Sequence, residues 1–426
     1  MSDGNPRRTA VLWDRDFTRL WCSETVSFFG SQLTLFATPI VALEYLHASA
    51  TEVAWINTAA GVGTLVFLGL LGPWTDRGRR TWFMSTLSLI RSLVLTGVAL
   101  LLMTQNLSLY VLLIAVALVS GMTGLYDSAF SALLPGIVHR SKLSAANTWV
   151  AGIRSAGDIG AGAAAGIILQ VLSPVALFIA DAFTYVASAI AVWRIREPAP
   201  TPIERITVVG YVRSLGVGFQ QLYRHRVMWP VNLSIAHFNL FTSAIQAVYV
   251  THALRSGAMS PVEIGAAGTL GGTIGLLATS VAPRLWSLFR PITVLTTTFT
   301  LPALAGLGML FVAPREPLLN VALLGLSLGF WAACVMVNMT GTETLKQVLV
   351  PERNLGSFSS ASRILTWGID PAGAALAGVL ALYLPTGPVL AVAAIGVATS
   401  AAWVLTASPV RELPRLQDIT APDHRP

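Results

Sequence analysis

Residues 52–103 read EVAWINTAAGVGTLVFLGLLGPWTDRGRRTWFMSTLSLIRSLVLTGVALLLM. Two apolar runs, 52–75 and 81–103, flank a short polar turn that holds Asp76, Arg77, Arg79 and Arg80. Each run reaches the roughly 20 residues that an α-helix needs to cross about 30 Å of hydrocarbon. Within lipid only a helix satisfies every backbone group of a single segment, so the pair reads as a helical hairpin through a bilayer. Ten more such runs follow the same pattern, at about 17–45, 107–135, 144–172, 174–195, 228–252, 261–283, 291–312, 317–342, 356–383 and 387–407. The expected fold is an all-α polytopic membrane protein of twelve spans.

Composition agrees with this reading. Of 426 residues 54% are apolar and only 11% charged, against about 25% charged in a soluble protein. The net charge of +7 is spread too thinly for a nucleic-acid face. Cys22 and Cys334 lie in apolar runs, which excludes a disulfide framework and any CxxC metal or redox site. The segment 1–19 is polar and has no short apolar core with a cleavage site, so the first span is expected to be its own uncleaved insertion signal.

Positive charge orients the chain. With both termini in the cytoplasm, the outer loops keep only Arg255 and Arg315, while the inner segments hold Arg7, Arg8, Arg15, Arg19, Arg77, Arg79, Arg80 and most of the rest. That asymmetry is the positive-inside pattern. The longest connection, 196–227, divides the spans six and six. Its first part carries Pro198, Pro200 and Pro202, whereas Tyr211, Leu215, Phe219 and Leu222 recur at helical spacing beside Arg213, Arg224 and Arg226. This second part is expected to be an amphipathic helix on the inner membrane surface. The expected divisions are therefore an N-terminal bundle (1–195), a linker (196–227), a C-terminal bundle (228–407) and a tail (408–426).

An internal repeat accompanies the division. A shift of 212 positions pairs Phe29 with Phe241, Ser31 with Ser243, Gly63 with Gly275, Val138 with Val350, Leu143 with Leu355, Asp158 with Asp370 and Gly166 with Gly378. Parallel six-span repeats build a substrate site near the midplane and rock around it. A transporter is the expectation.

The turn Gly72-Pro73-Trp74-Thr75-Asp76-Arg77-Gly78-Arg79-Arg80 resembles the cytoplasmic signature of the major facilitator superfamily, with one residue fewer between Arg77 and Gly78. The stretches 177–188 (LFIADAFTYVAS), 263–285 (EIGAAGTLGGTIGLLATSVAPRL) and 351–380 (PERNLGSFSSASRILTWGIDPAGAALAGVL) are similar to the branch with enterobactin-type siderophore exporters and macrolide efflux proteins. The resemblance implies that Asp76 latches one state through the eleventh span, with Arg77, Arg79 and Arg80 as gating partners. It also implies that spans 1, 4, 7 and 10 line the cavity, which places Gln32, Tyr126, His237, Asn239, Gln246 and Asn338 near the substrate path. The glycine-rich fifth span (Gly152, Gly157, Gly160, Gly162, Gly166) resembles the export signature of facilitator antiporters, with Ala161 where proline is usual.

Ionisable side chains inside spans are expensive unless they face a cavity or a partner. Glu24 and Asp127 are read as the proton-coupling acids, because each lies about two turns from the inner end of its span. Arg154 and Asp158, at i and i+4, and Arg363 and Asp370, two turns apart, are read as pairs available for gating. Arg91 is a possible basic partner of the acids, and Asp181 is read as a packing residue of the sixth span. No GxxxxGK[ST] or HExxH occurs, and the GxSxG at 325–329 lies inside an apolar span rather than on a strand-to-helix turn, so neither ATP coupling nor a familiar hydrolase is expected. The function expected is proton-coupled efflux of an amphiphilic drug, natural product or siderophore by a monomer in a bacterial inner membrane. Its partners are protons and the lipid bilayer, with no cofactor, metal or nucleic acid. An uptake permease of the same fold and a non-transporting membrane sensor are the alternatives.

Overall fold

A computed structural model of the chain describes residues 15–71, 79–138, 146, 149–150, 153, 173–197, 208–314 and 316–418. Contacts group the chain into two compact units, residues 1–46 with 59–207 and residues 47–58 with 208–426.

The first unit is built on α1 (Arg15–Glu44), the greater part of α2 (Ala50–Leu71), α3 (Arg80–Met103), α4 (Leu109–Ile137) and α5 (Pro174–Trp193). Their starts follow local rules. Ser108 and Ser173 accept from the backbone N–H groups of Val111 and Ala176, and Pro174 occupies the first turn, where its missing N–H costs nothing. α2 and α4 cross closely because Gly63 lies on the backbone of Ala117 and Gly121 lies on the ring of Phe67, so a methyl group at either position would collide. The bundle centre is apolar: Phe17, Leu20, Met84, Leu125, Ala129 and Leu133 are all fully buried.

The second unit contains α6 (Val208–Arg224), α7 (Met228–Arg255), α8 (Pro261–Leu288), α9 (Pro291–Thr300), α10 (Pro302–Gly308), α11 (Pro317–Leu349), α12 (Glu352–Trp367), α13 (Asp370–Leu380), α14 (Thr386–Thr399), α15 (Ala402–Thr406) and α16 (Ser408–Arg411). α8 opens with a full capping box between Ser260 and Glu263. It lies along α11 through reciprocal small residues, Gly271 and Gly275 against Leu328 and Ala332, Gly325 and Gly329 against Leu270 and Ile274. Trp286 is buried there, stacked on Gly341 and donating to the Val337 carbonyl at 2.8 Å.

Among the described residues ten helical segments are long and apolar enough to cross a membrane. The fifth expected span (144–172) falls almost wholly outside the described residues. The eleventh is divided: α12 ends at Gly368 and α13 restarts at Asp370-Pro371. The ninth is likewise broken at Leu301-Pro302, where proline removes a backbone donor. The linker helix α6 forms where amphipathic spacing places it, but part of its apolar face packs on protein. Leu222 is fully buried, Gly218 lies on the Ser357 carbonyl and Gln221 accepts from Ser357 Oγ at 3.3 Å.

Candidate functional site

A buried polar cluster joins α1, α3, α4 and α5. Arg91 on α3 is 2% exposed, with its guanidinium carbon 4.3 Å from the Tyr185 ring centre and 4.6 Å from that of Tyr126. Its two terminal nitrogens donate to Ser88 Oγ at 2.9 Å and Thr123 Oγ1 at 3.2 Å, while Nε has no acceptor among the described residues. The flat cation is thus held between two π faces, a geometry that attracts a guanidinium strongly once water is excluded.

Two carboxylates belong to the same region. Asp181 on α5, 2% exposed, accepts from Thr34 Oγ1 at 2.6 Å through one oxygen and from Thr184 Oγ1 at 3.0 Å through the other. Its carboxylate rests on Gly30, where any side chain would strike it. Glu24 on α1 is 4% exposed. The adjoining Ser23 shares a 2.8 Å hydrogen bond with Ser188 Oγ, which also lies 3.4 Å from Tyr126 Oη, and Ser31 meets Tyr185 Oη at 2.8 Å. Four helices are therefore tied through hydroxyls around one cation and two acids. Asp127 is half-buried and sits about 100° around α4 from Tyr126.

Sequence reasoning singled out Glu24 and Tyr126 but read Asp181 as packing and left Arg91 without its aromatic partners. A signal was present. Ser88 and Arg91 stand at i and i+3, and Asp181, Thr184 and Tyr185 at i, i+3 and i+4, so each helix carries a polar face.

The cavity residues expected from span 7 have particular partners in the second unit. His237 Nε2 lies 3.1 Å from both the Gly396 carbonyl and Thr399 Oγ1, and Nδ1 accepts from Trp403 Nε1 at 3.3 Å, so its ring joins the seventh span to the twelfth. Asn239 donates to the Thr366 carbonyl at 2.8 Å and Ser243 to that of Asp370 at 2.7 Å, so span 7 grips both sides of the break between α12 and α13. Asn338 donates to Thr298 Oγ1 at 2.8 Å, whereas Gln246 is exposed and Gln32 half-buried.

The gating residues are only partly covered. Asp76, Arg77, Arg154 and Asp158 lie outside the described residues. Arg79 is exposed beside Thr81, Trp82 and Trp193, and Arg80 starts α3. Thr81 donates through both its backbone N–H and its hydroxyl to Glu197 at 3.1 and 3.2 Å, so Glu197 caps α3. Arg363 and Asp370, expected on one continuous helix, are separated by the turn at Gly368. Arg363 is exposed on α12 and Asp370 sits half-buried in the first turn of α13, where a carboxylate meets the positive helix end.

Ten membrane-length helices among the described residues and an ionisable cluster buried inside one bundle are the features of a helical membrane protein. The match to the Major Facilitator Superfamily model runs over residues 20–369, and the chain belongs to that family. No curated protein sequence matches it. Solved structures share its fold. A bacterial homologue of the iron transporter ferroportin, in an inward-facing state, is 18% identical, covering 94% of this chain and 100% of its own, with a TM-score of 0.70. The nucleoside transporter NupG is 12% identical over 93% of this chain and 99% of its own, TM-score 0.72. A POT family transporter solved with a thioalcohol-conjugated peptide is 13% identical over 93% and 96%, TM-score 0.68. The chain is a multi-pass secondary transporter.

Proposed function

We propose that the protein exports an amphiphilic small molecule in exchange for protons across a bacterial inner membrane. The observation that carries this reading is the cluster of Glu24, Arg91 and Asp181, two acids and one cation each at most 4% exposed. Buried charges of this kind are costly in lipid. With both acids ionised the cluster bears one net negative charge, and a proton on either acid makes it neutral. A proton taken from outside is thus exchanged for a change in charge that the surrounding helices feel directly. Glu24 is the coupling acid, and Asp127 supplies a second polar contact on the same bundle.

An amphiphile is the proposed cargo, because apolar side chains contribute affinity while a few polar groups, such as Gln32 and Asn338 of the expected path, set orientation. The resemblance of 177–188, 263–285 and 351–380 to siderophore and macrolide exporters supports the outward direction. Accumulation of a compound panel in an efflux-deficient bacterium, with and without an uncoupler, tests the reading. Lower accumulation that an uncoupler restores is the expected result, and accumulation raised by expression of the protein contradicts export.

A further inference from the structure

A groove of about 500 Å³ lies within the second unit, on the flank of α8, α9 and α11. Its walls include Val281 and Leu285 of α8, Val294 and Thr297 of α9, Leu301 just beyond it, and Cys334 of α11. Val281, Phe289 and Leu301 are 47%, 49% and 38% exposed, so the groove is open rather than sealed.

The groove is chemically hydrocarbon despite its threonines. Thr297 Oγ1 donates to the Thr293 carbonyl at 2.9 Å, and Thr298 Oγ1 donates to that of Val294 at 2.8 Å while accepting from Asn338. The hydroxyls of Thr297 and Thr298 are thus already satisfied by their own helix and by Asn338. Its length is equally specific. From Thr293 to Leu301 the wall rises about 12 Å at 1.5 Å per residue, close to one leaflet's share, about 15 Å, of a 30 Å hydrocarbon core. The proline break after Leu301 ends it there.

Both arginines of this region stand at its other end. Arg284 precedes the lining Leu285, and Arg290 lies between the lining Phe289 and the start of α9. Arg290 is held by the carbonyls of Arg411 at 2.9 Å and Leu413 at 3.4 Å, which leaves its charge at the rim. Among the described residues neither arginine pairs with a carboxylate. A basic rim over a one-leaflet apolar slot complements a lipid anion.

We propose that this groove is a binding site for one anionic phospholipid of the leaflet on the arginine-rich side, with an acyl chain along α9 and the phosphate at Arg284 and Arg290. The site is independent of the cargo and its direction of transport.

The test uses the full-length protein in vesicles that contain a phosphatidylglycerol or a phosphatidylcholine with a photoreactive diazirine in one acyl chain, followed by mass-spectrometric mapping of adducts. Labelling at Val281, Leu285, Thr297 and Leu301 is expected to exceed that at the exposed Leu319 and Leu326 of α11 several-fold, and to be several-fold greater from phosphatidylglycerol. Thr297→Trp, which projects a ring from an exposed position into the slot, is expected to lower groove labelling and leave Leu319 and Leu326 unchanged. Arg284→Gln combined with Arg290→Gln is expected to erase the headgroup preference and retain the acyl adducts. Uniform labelling of all exposed positions, or equal labelling by the two lipids in the wild type, overturns the proposal.

Discussion

A guanidinium between two phenol rings uses its plane as well as its charge. Lysine at position 91 keeps the charge but cannot stack flat on Tyr126 and Tyr185, so Arg91→Lys is expected to cost about 1–2 kcal/mol of stability. Arg91→Ala removes the cation from beside two buried acids together with both ring contacts, and is expected to cost more than Arg91→Lys. Thermal unfolding of the purified protein ranks the two, and an alanine variant as stable as the lysine variant would show that the charge is not what matters there. Asp181→Asn preserves the size of the side chain and an acceptor for Thr34 or Thr184, so it separates packing from charge. Normal insertion with altered pH dependence of transport is expected; unaltered pH dependence would return Asp181 to a packing role.

At the scale of elements, the junction of α6, α7 and α11 turns on His225. Its Nδ1 accepts from the Met228 N–H at 3.2 Å, its Nε2 lies 3.4 Å from the Leu349 carbonyl, and its ring meets Phe358 edge-on. This arrangement uses the neutral imidazole with Nε2 as donor. Burial pushes its pKa below the ordinary histidine value. A depressed histidine pKa means that the folded state binds fewer protons than the unfolded chain, so the stabilisation is present above the unfolded pKa, near 6.5, and declines as pH falls below it. Protection of 208–228 from hydrogen exchange, taken relative to the intrinsic exchange rate at each pH, is therefore expected to fall between about pH 7 and pH 5 in the wild type. His225→Gln, which does not titrate there, is expected to flatten that dependence, and an unchanged pH profile in the variant would remove His225 as its origin.

The helices themselves were legible because hydropathy reports length and burial in lipid, whatever the helices pack against. The breaks at Leu301 and Gly368 were not, since a hydropathy window passes over a one-residue interruption even when Pro302 or Pro371 marks it. The polar cluster was half legible: intramembrane Glu24, Arg91 and Asp181 stand out one by one. That Arg91 lies between tyrosines of α4 and α5 depends on helix rotation, which spacing within a single helix leaves open. His237 was expected at the cavity from its place in span 7; its partners Gly396, Thr399 and Trp403 on the twelfth span were not legible, because they depend on how two helices pack.

For the whole molecule, the distribution of arginine proposes that both termini face the cytoplasm. In a background lacking Cys22 and Cys334, single cysteines at the exposed positions Asn106 and Tyr383 are expected to react with an impermeant thiol reagent in intact cells. A cysteine at Arg226 is expected to react only after lysis. The reverse pattern would invert every assignment of depth, including the leaflet of the groove beside α9.

Proton coupling through the buried cluster depends on the carboxyl of Glu24, and Glu24→Gln removes that carboxyl while keeping its size. Membrane vesicles are everted so that export becomes uptake, a proton gradient is imposed, and uptake of a compound that the wild type moves is followed for both proteins. The wild type is expected to concentrate the compound only while the gradient lasts, and Glu24→Gln to insert normally, bind the compound and fail to concentrate it. A Glu24→Gln variant that concentrates the compound at the wild-type rate under the same gradient would mean that Glu24 does not couple protons to export.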